Sequence, residues 1–193
     1  MARPRGFDED DVLDKALHIF WRDGFDGASI SDLVEAMGVC KPSLYMAFGS
    51  KECLFRLAVT RYRRDYLGFR HEALERETPR SIVEGLLEGM ALLHTGGATP
   101  PGCFETNNSI RCSRAGEAIR SDLIGERSAF VEQLCERFEA TKSGASLPAG
   151  VGSADAALFV VTLIMGMAME ARAGASRDDL LLVARVALTA WPA

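Results

Sequence analysis

The stretch from Ser29 to Lys51 constrains the fold of this chain more than any other, because it reads as two short helices joined by a glycine turn. The apolar face of the first helix has residues at i, i+3, i+4 and i+7: Ile30, Leu33, Val34 and Met37. Ser29 or Ser31 is placed to cap that helix, and Gly38 suits the positive φ of its end. Pro42 suits the first turn of a second helix. This pattern predicts a helix-turn-helix over about residues 29–48.

The second helix of this pair is predicted to bury one side only. Leu44 and Phe48 are spaced i, i+4, so both face the rest of the molecule while polar side chains between them point outward. Gly49 and Ser50 then end this helix and cap the next one, which begins at Lys51. A lysine beside the first free amides of a helix favours the binding of a phosphate.

Together with the preceding helix, predicted from Asp8 to Gly24, this stretch closely resembles the N-terminal domain of TetR-family transcriptional regulators. The residues that carry the resemblance lie in about the first third of the chain: Ala16, Phe20, Gly24, Phe25, Ser29, Ile30, Met37, Gly38, Val39, Ser43, Leu44, Tyr45, Phe48, Ser50, Lys51, Glu52, Leu54 and Phe55. The resemblance implies an all-α protein, with a three-helix DNA-binding domain over residues 6–66 and a ligand-binding and dimerisation bundle over residues 67–193. Helical spacing of apolar residues along the rest of the chain also favours the all-α fold.

The resemblance also assigns roles in DNA binding. Four residues of the second helix are expected to face base edges in the major groove: Lys41, Pro42, Ser43 and Met46. Tyr45 and Lys51 are expected to hold phosphates, with further contacts from Ser29 and Ser31. Lysine can donate to guanine O6 and N7, and both tyrosine and lysine can donate to phosphate oxygens. A homodimer would place two such DNA-binding helices one helical turn apart on a quasi-palindromic double-stranded operator.

A short basic arm precedes the first helix. Arg3 and Arg5 flank Pro4, and the first helix itself opens with the acidic run Asp8 to Asp11. Arms of this kind enter narrow, A·T-rich minor grooves, so Arg3 and Arg5 are candidate DNA contacts. The alternative is a solvated chain terminus without a role in binding.

Cys40 departs from the resemblance, since the family usually has serine at this position. A thiol is a weaker hydrogen-bond acceptor than a hydroxyl, which predicts a weaker cap for the second helix of the pair. A thiol at a helix N-terminus can have a lowered pKa and react, and the alternative is a small residue tolerated at a cap.

Composition places the chain among ordinary globular proteins. It has 193 residues, of which 48% are hydrophobic and 25% charged, and its formal net charge is −5. An acidic chain excludes a uniformly basic nucleic-acid coat, so DNA contacts must come from local clusters. The opening sequence MARPRGFDEDD has no apolar signal segment, and the longest apolar run, Ala156 to Met169, is shorter than the ~20 residues of a membrane span. We therefore expect a cytoplasmic protein without membrane contact.

Residues suited to catalysis or metal binding are not assembled into a recognisable motif. The five cysteines form no CxxC pair, and His18, His71 and His94 are scattered along the chain. No Ser/His/Asp set and no glycine-rich phosphate loop can be found in the sequence. We therefore expect a protein that is not an enzyme and that needs no cofactor or metal.

Helical spacing continues through the rest of the chain. A long fourth helix is predicted from Lys51 to about Leu74, and Trp21 in the first helix is expected to be partly exposed. The last two helices, around Ala156 to Met169 and from Ser176 to about Trp191, are apolar on more than one side. They predict a homodimer interface, in which Gly166 permits close helix approach. Deep burial within one chain is the alternative.

The bundle is predicted to enclose a mainly apolar ligand cavity. Its candidate lining combines large, adaptable side chains with a few polar groups: Met90, His94, Phe104, Asn107, Phe130, Leu134 and Phe159. Ordinary core packing is the alternative for each of them. The resemblance implies a ligand-responsive regulator, most often a repressor, that a small apolar molecule releases from its operator. The other hypothesis is a thiol-based redox or electrophile sensor on the same scaffold, acting through Cys103 or Cys112.

Overall fold

A computed structural model describes residues 8–109, 113–141 and 147–192 of the chain. All regular secondary structure in these ranges is helical, which confirms the all-α fold. A short 3₁₀ turn, Arg114–Gly116, accompanies the α-helices. The α-helices in the described ranges have the following bounds: α1 Glu9–Gly27, α2 Ile30–Met37, α3 Lys41–Phe48, α4 Lys51–Tyr66, α5 Gly68–Leu74, α6 Pro79–His94, α7 Phe104–Ser109, α8 Glu117–Ala140, α9 Ser153–Ala173 and α10 Arg177–Leu188.

Local sequence signals decide where α1 begins and bends. The carboxylate of Asp8 accepts hydrogen bonds from the backbone amides of Asp10 and Asp11, at 2.9 and 3.5 Å, and so caps the helix. At Gly24 the backbone leaves the helical region, with φ of 77° and ψ of 169°, before one more turn follows. Glycine adopts these angles without strain, and beyond the bend Phe25 is buried in the core.

α2 and α3 form the predicted helix-turn-helix. Ser29 and Asp32 make a reciprocal capping box, in which the Asp32 amide donates to the Ser29 hydroxyl at 3.1 Å and the Ser29 amide donates to the Asp32 carboxylate at 3.0 Å. Gly38 ends α2 in the left-handed conformation, with φ of 68°. Pro42 lies in the first turn of α3, and Leu44 is fully buried on its inner side. The spacing of apolar residues therefore decides which side of α3 faces outward.

An aromatic cluster holds α1 and α4 together. The rings of Phe20 and Phe55 meet edge to face at 5.1 Å, and those of Trp21 and Tyr62 at 4.9 Å. Trp21 is fully buried, which corrects the expectation of partial exposure. Its indole nitrogen donates to the backbone oxygen of Gly102 at 3.0 Å, and these two residues are 81 positions apart in the chain. The helical spacing within α1 could not reveal a partner at that distance.

The predicted long fourth helix is divided in two. α4 ends at Tyr66, Leu67 leaves helical geometry with φ of −105° and ψ of 10°, and α5 begins at Gly68. Glycine is a poor helix former, which favours a break at this point. α5 packs closely against α6, where a Cβ at Gly89 would collide with the ring of Phe69. The break thus turns α5 onto a neighbour instead of extending α4.

The C-terminal helices form a bundle in which α8 packs on α9, and α6 packs on both α9 and α10. α9 has 21 residues and is longer than its apolar run suggested. An 18-residue stretch of it has a mean hydropathy of 1.7, so α9 is long and apolar enough to cross a membrane by length and composition alone. That stretch is 44% buried inside the protein. Large apolar side chains also remain exposed on α9 and α10: Leu158, Phe159, Met169, Leu182, Val183 and Val186.

Candidate nucleic-acid interface and ligand cavity

The outer side of α3 is accessible to a partner and carries both polar and apolar side chains. Five residues predicted to contact DNA lie in this helix and are exposed or half-buried: Lys41, Pro42, Ser43, Tyr45 and Met46. Tyr45 is 40% exposed and Met46 is 77% exposed, whereas Phe48 is buried against the core. A short helix with one buried side and one accessible side of this kind has the dimensions of a major-groove reader.

Lys51 stands at the N-terminus of α4, beside α3. The hydroxyl of Ser50 accepts the amide of Cys53 at 3.0 Å and caps α4. The Nζ of Lys51 lies 4.5 Å from the centroid of the Phe25 ring. Partial burial lowers the pKa of Lys51, and the nearby carboxylate of Asp26 opposes that shift. The position combines a cation with the positive end of a helix dipole, which suits a phosphate.

Cys40 precedes α3 and gives it no side-chain cap. The Sγ atom of Cys40 lies 3.1 Å from the hydroxyl oxygen of Ser43, and this contact with the Ser43 side chain holds the pKa of the exposed thiol below its ordinary value. The weaker cap that the sequence predicted is therefore seen in the structure. The first amides of α3 have no side-chain acceptor from this residue.

The other residues predicted to contact DNA lie outside α3. Ser29 and Ser31 are exposed at the start of α2, although the Ser29 hydroxyl is already used by the capping box. Arg3 and Arg5 of the basic arm lie outside the described residues. Cys112, one of the two candidate sensor thiols, lies outside them as well.

A cavity of about 580 Å³, partly open to solvent, lies where the α4–α5 break meets α6, α7, α8 and α9. Its volume is in the range of small-molecule sites. The apolar part of the wall consists of Leu67, Leu74, Met90, Cys103, Leu123, Ala129, Phe130, Val161, Ile164 and Met165. The polar part consists of Arg63, Arg70, His71, Glu105, Thr106, Ser109, Glu126, Arg127 and Gln133. The wall is therefore amphipathic, more polar than the sequence predicted.

The predicted lining of this cavity needs correction. Met90 and Phe130 line it, but the remaining predicted residues do not: His94, Phe104, Asn107, Leu134 and Phe159. Phe159 is 47% exposed on the outer side of α9, and Leu134 is fully buried in the core. Helical spacing shows which residues share a face, but the packing of several helices decides whether that face meets a core, a cavity or solvent.

Three of the residues that were predicted to line the cavity lie in other surroundings. The ring of Phe104 stacks on Phe55 at a centroid distance of 5.2 Å, within the aromatic cluster. Asn107 borders a smaller cavity of about 90 Å³ near the end of α1. His94 is fully buried and neither ring nitrogen has a hydrogen-bond partner among the described residues, so burial lowers its pKa from 6.5 to about 4.

α7 joins the cavity to α1, a role that the sequence reasoning missed. The Asn108 side chain accepts a hydrogen bond from the Phe25 amide at 2.7 Å and donates to the backbone oxygens of Phe20, at 3.3 Å, and Phe104, at 2.8 Å. Asn107 donates to the backbone oxygen of Trp21 at 3.3 Å. Two adjacent asparagines in an otherwise packed segment were the available signal, because buried amides require partners.

Comparison with known proteins identifies the family. Residues 12–58 match the family model described as bacterial regulatory proteins, tetR family. The chain is 35% identical over 195 residues to the HTH-type transcriptional repressor ComR of Escherichia coli (strain K12), in an alignment that spans 99% of this chain and 92% of ComR. The protein belongs to the TetR family, and it is a DNA-binding transcriptional regulator.

Solved structures agree with this assignment. The TetR family transcriptional regulator CifR, as a cysteine mutant complexed with 26bp double-strand operator DNA, matches with a TM-score of 0.91 at 35% identity, over 98% of this chain and 100% of that chain. The reduced form of E. coli NemR matches with a TM-score of 0.78 at 20% identity, over 95% and 96% of the two chains, which shows the shared fold. The family consists of dimeric regulators, which are not enzymes, that bind double-stranded DNA and small-molecule effectors.

Proposed function

We propose that the protein is a repressor that binds a quasi-palindromic operator as a homodimer and leaves it when a small molecule occupies the cavity described above. Residues 6–66 would form the DNA-binding domain and residues 67–193 the ligand-binding and dimerisation domain. The end of α4 at Tyr66 supports that boundary. The repressor named ComR, similar over almost the whole chain, supports repression as the direction of control.

The observation that carries this proposal is the position of α7 between the cavity and α1. Cys103, Glu105 and Thr106 line the cavity, whereas Asn107 and Asn108 hold the backbone of α1. A ligand changes the operator affinity only through its different affinity for two arrangements of the protein. α7 can report such a difference, because the residues that line the cavity and those that hold α1 are neighbours in this one short helix.

The experiment that tests ligand release has two steps. Small molecules are screened for a rise in melting temperature, and operator affinity is then measured with each stabilising compound. We expect compounds that stabilise the free protein to weaken operator binding, and Phe130→Trp, which fills the cavity, to abolish their effect. Leu92→Trp is the control, because Leu92 is 50% exposed on α6. Stabilisation that survives Phe130→Trp, or that leaves operator affinity unchanged, contradicts the proposal.

For DNA recognition, we propose that Lys41, Pro42, Ser43 and Met46 face base edges while Tyr45 and Lys51 hold phosphates. The accessible side of α3 and the place of Lys51 at the start of α4 support these roles. Lys41→Ala should relax the preference at one base pair by ~1 to 3 kcal/mol, whereas Lys51→Ala should weaken binding to all duplexes by a similar factor. Affinities for the operator and for single-base variants of it distinguish the two effects. A change of preference in Lys51→Ala would reverse the assignment.

For dimerisation, we propose the exposed apolar side of α9 and α10. Gly166 lies on this side, and a Cβ there would meet no atom within 4 Å in the isolated chain. Gly166→Glu should therefore keep the fold but give monomers in sedimentation. Gly125→Glu is the matched control, because Gly125 is equally open but lies on α8. If both variants sediment as dimers, the interface lies elsewhere.

A specific contact favours thiol sensing as a second candidate function. Cys103 Sγ lines the cavity and lies 3.5 Å from the Tyr62 hydroxyl, whose pKa is raised by burial and by the neighbouring Cys103. Peroxide would convert this thiol to a sulfenic acid with release of water. The test is loss of operator binding on peroxide treatment, its recovery with reductant, and its absence in Cys103→Ser. Cys53→Ser, which changes an exposed thiol on α4, is the control.

A further inference from the structure

We propose that the cavity selects an organic anion, a carboxylate with an apolar body, and that Arg70 is the residue that binds its charge. The proposal rests on the ligand-responsive function proposed above and names the chemical class of the ligand. It departs from the expectation of a small apolar effector.

Five charged side chains line the cavity: Arg63, Arg70, Arg127, Glu105 and Glu126. Arg63 binds both carboxylates, with its Nε atom 2.6 Å from Glu105 and a terminal nitrogen 3.3 Å from Glu126. Arg127 points a terminal nitrogen at the Sδ atom of Met165, at 3.4 Å. Three guanidinium groups face two carboxylates, and guanidinium stays protonated in proteins. Arg63 holds both carboxylates, so the guanidinium groups of Arg70 and Arg127 are left without a carboxylate among the described residues.

Of these two guanidinium groups, that of Arg70 is the more buried, whereas Arg127 is exposed on α8. Its side chain makes no hydrogen bond or ion pair with any of the described residues, and its guanidinium carbon lies 3.5 Å from the centroid of the Phe130 ring. Burial lowers the pKa of Arg70, while the attraction of Glu105 opposes this shift. Glu105 is itself engaged by Arg63, so it does not neutralise Arg70. A guanidinium that is desolvated, stacked on a ring and unpaired is suited to a planar carboxylate.

The rest of the wall suits the body of such a ligand. Leu123, Val161, Ile164 and Met90 are buried apolar residues that line the same cavity. A cavity of about 580 Å³ accommodates a medium-length alkyl chain or a fused aromatic ring together with its carboxylate. The lining thus specifies an amphipathic molecule with one charged end.

Arg70 also lies where its movement would matter for DNA binding. It is the third residue of α5, just after the break at Leu67, while Phe130 belongs to α8. A carboxylate that draws the guanidinium away from the Phe130 ring changes the contact between α5 and α8. Because α5 follows α4 directly, the charge of the ligand acts close to the helix that begins beside the DNA-binding surface.

The experiment compares acids with their neutral amides on the purified full-length protein. The probes are hexanoate, octanoate, decanoate and naphthoate, each with the corresponding primary amide, titrated by calorimetry at neutral pH. We expect at least one acid to bind about tenfold or more tightly than its amide, because the charge-assisted contact is absent from the amide. Equal affinities for every pair, or no saturable binding of any acid in the millimolar range, would overturn the proposal.

Two variants assign the preference to Arg70. Arg70→Met should reduce acid and amide to equal affinity, whereas Arg70→Lys should keep part of the preference because it keeps the charge. Arg64→Met removes an equal charge outside the cavity, where Arg64 pairs with its neighbour Asp65, and should leave the preference unchanged. A preference that survives in Arg70→Met would place the anion site elsewhere.

Operator binding separates this proposal from the one on which it rests. If an amide weakens operator binding as strongly as its acid, ligand release stands and anion selection fails. If an acid binds through Arg70 but leaves operator affinity unchanged, anion selection stands and ligand release fails.

Discussion

Most buried polar groups at the junction between α1 and α7 have hydrogen-bond partners. Inside the C-terminal bundle, several buried polar groups have none among the described residues. At the junction, the Asn108 side chain and the Trp21 indole nitrogen are hydrogen-bonded to backbone groups, and Asn107 leaves one oxygen without a partner. In the bundle, both ring nitrogens of His94 and the indole nitrogen of Trp191 have no partner among the described residues. Satisfied buried networks rigidify a structure, whereas an unsatisfied buried group costs free energy. The contrast fits a joint fixed by polar contacts beside a bundle that is held together mainly by apolar packing.

The largest expected effect comes from breaking the joint. Asn108→Ala removes three hydrogen bonds and leaves the buried Phe25 amide without its partner, so we expect a loss of about 3 kcal/mol in the free energy of unfolding. Urea denaturation measures the loss. Ser109→Ala is the control, because Ser109 is half-buried and its hydroxyl donates only to the Thr106 backbone. If both variants lost the same amount, the joint would be no more fixed than its surroundings.

His94, which has no hydrogen-bond partner among the described residues, makes the stability of the bundle depend on pH. Burial lowers the pKa of His94 from 6.5 to about 4, so the unfolded chain binds a proton more readily than the folded one between these values. The contribution of the neutral His94 to the free energy of unfolding is therefore fully present above pH 6.5 and is lost as the pH falls towards 4. We expect His94→Leu to gain about 2 kcal/mol over the wild type when the pH is lowered from about 7.5 to about 5.

Urea denaturation at both pH values gives this difference directly. Other titrating groups are common to the two proteins and cancel in the comparison. A constant difference between wild type and His94→Leu would mean that His94 finds a proton acceptor or water on protonation.

An effect of similar size tests how closely α5 packs against α6. Gly89→Ala would push a Cβ into the Phe69 ring and shift α5, at a cost of about 2 kcal/mol. Gly125→Ala in α8 has open space around its Cβ, so helix propensity alone should make it stabilising by up to about 1 kcal/mol. Thermal unfolding compares the two. If Gly89→Ala left the melting temperature unchanged, α5 would be able to shift away from α6 at little cost.

The smallest expected change in the free energy of unfolding comes from a substitution in the DNA-binding domain. Cys40→Ser restores a hydroxyl at the N-cap of α3, where no side-chain cap is present, and should raise the free energy of unfolding by about 0.5 to 1 kcal/mol. Cys53→Ser, a control at another exposed thiol, should change it little. Equal effects of the two variants would mean that the α3 cap is already satisfied by other means.

Much of the DNA-binding domain could be predicted because its signals are local. Gly38, Pro42 and the spacing of Leu44 and Phe48 specify the turn and the outward side of α3 without knowledge of any distant residue. The cavity could not be predicted in the same way. Phe130 and Phe159 are both aromatic residues in long helices, but one lines the cavity and the other lies nearly half exposed. Only the positions of neighbouring helices distinguish them.

The sequence by itself determined the all-α class, the helix-turn-helix and the apolar side of the last two helices, because helix periodicity and turn chemistry act over a few residues. The tertiary structure alone decided that α4 is followed by a separate α5, that Trp21 is buried on Gly102, and that Arg70 is left without a carboxylate. These properties depend on contacts between residues far apart in the chain, where burial and charge are set by the partner as well as by the residue itself.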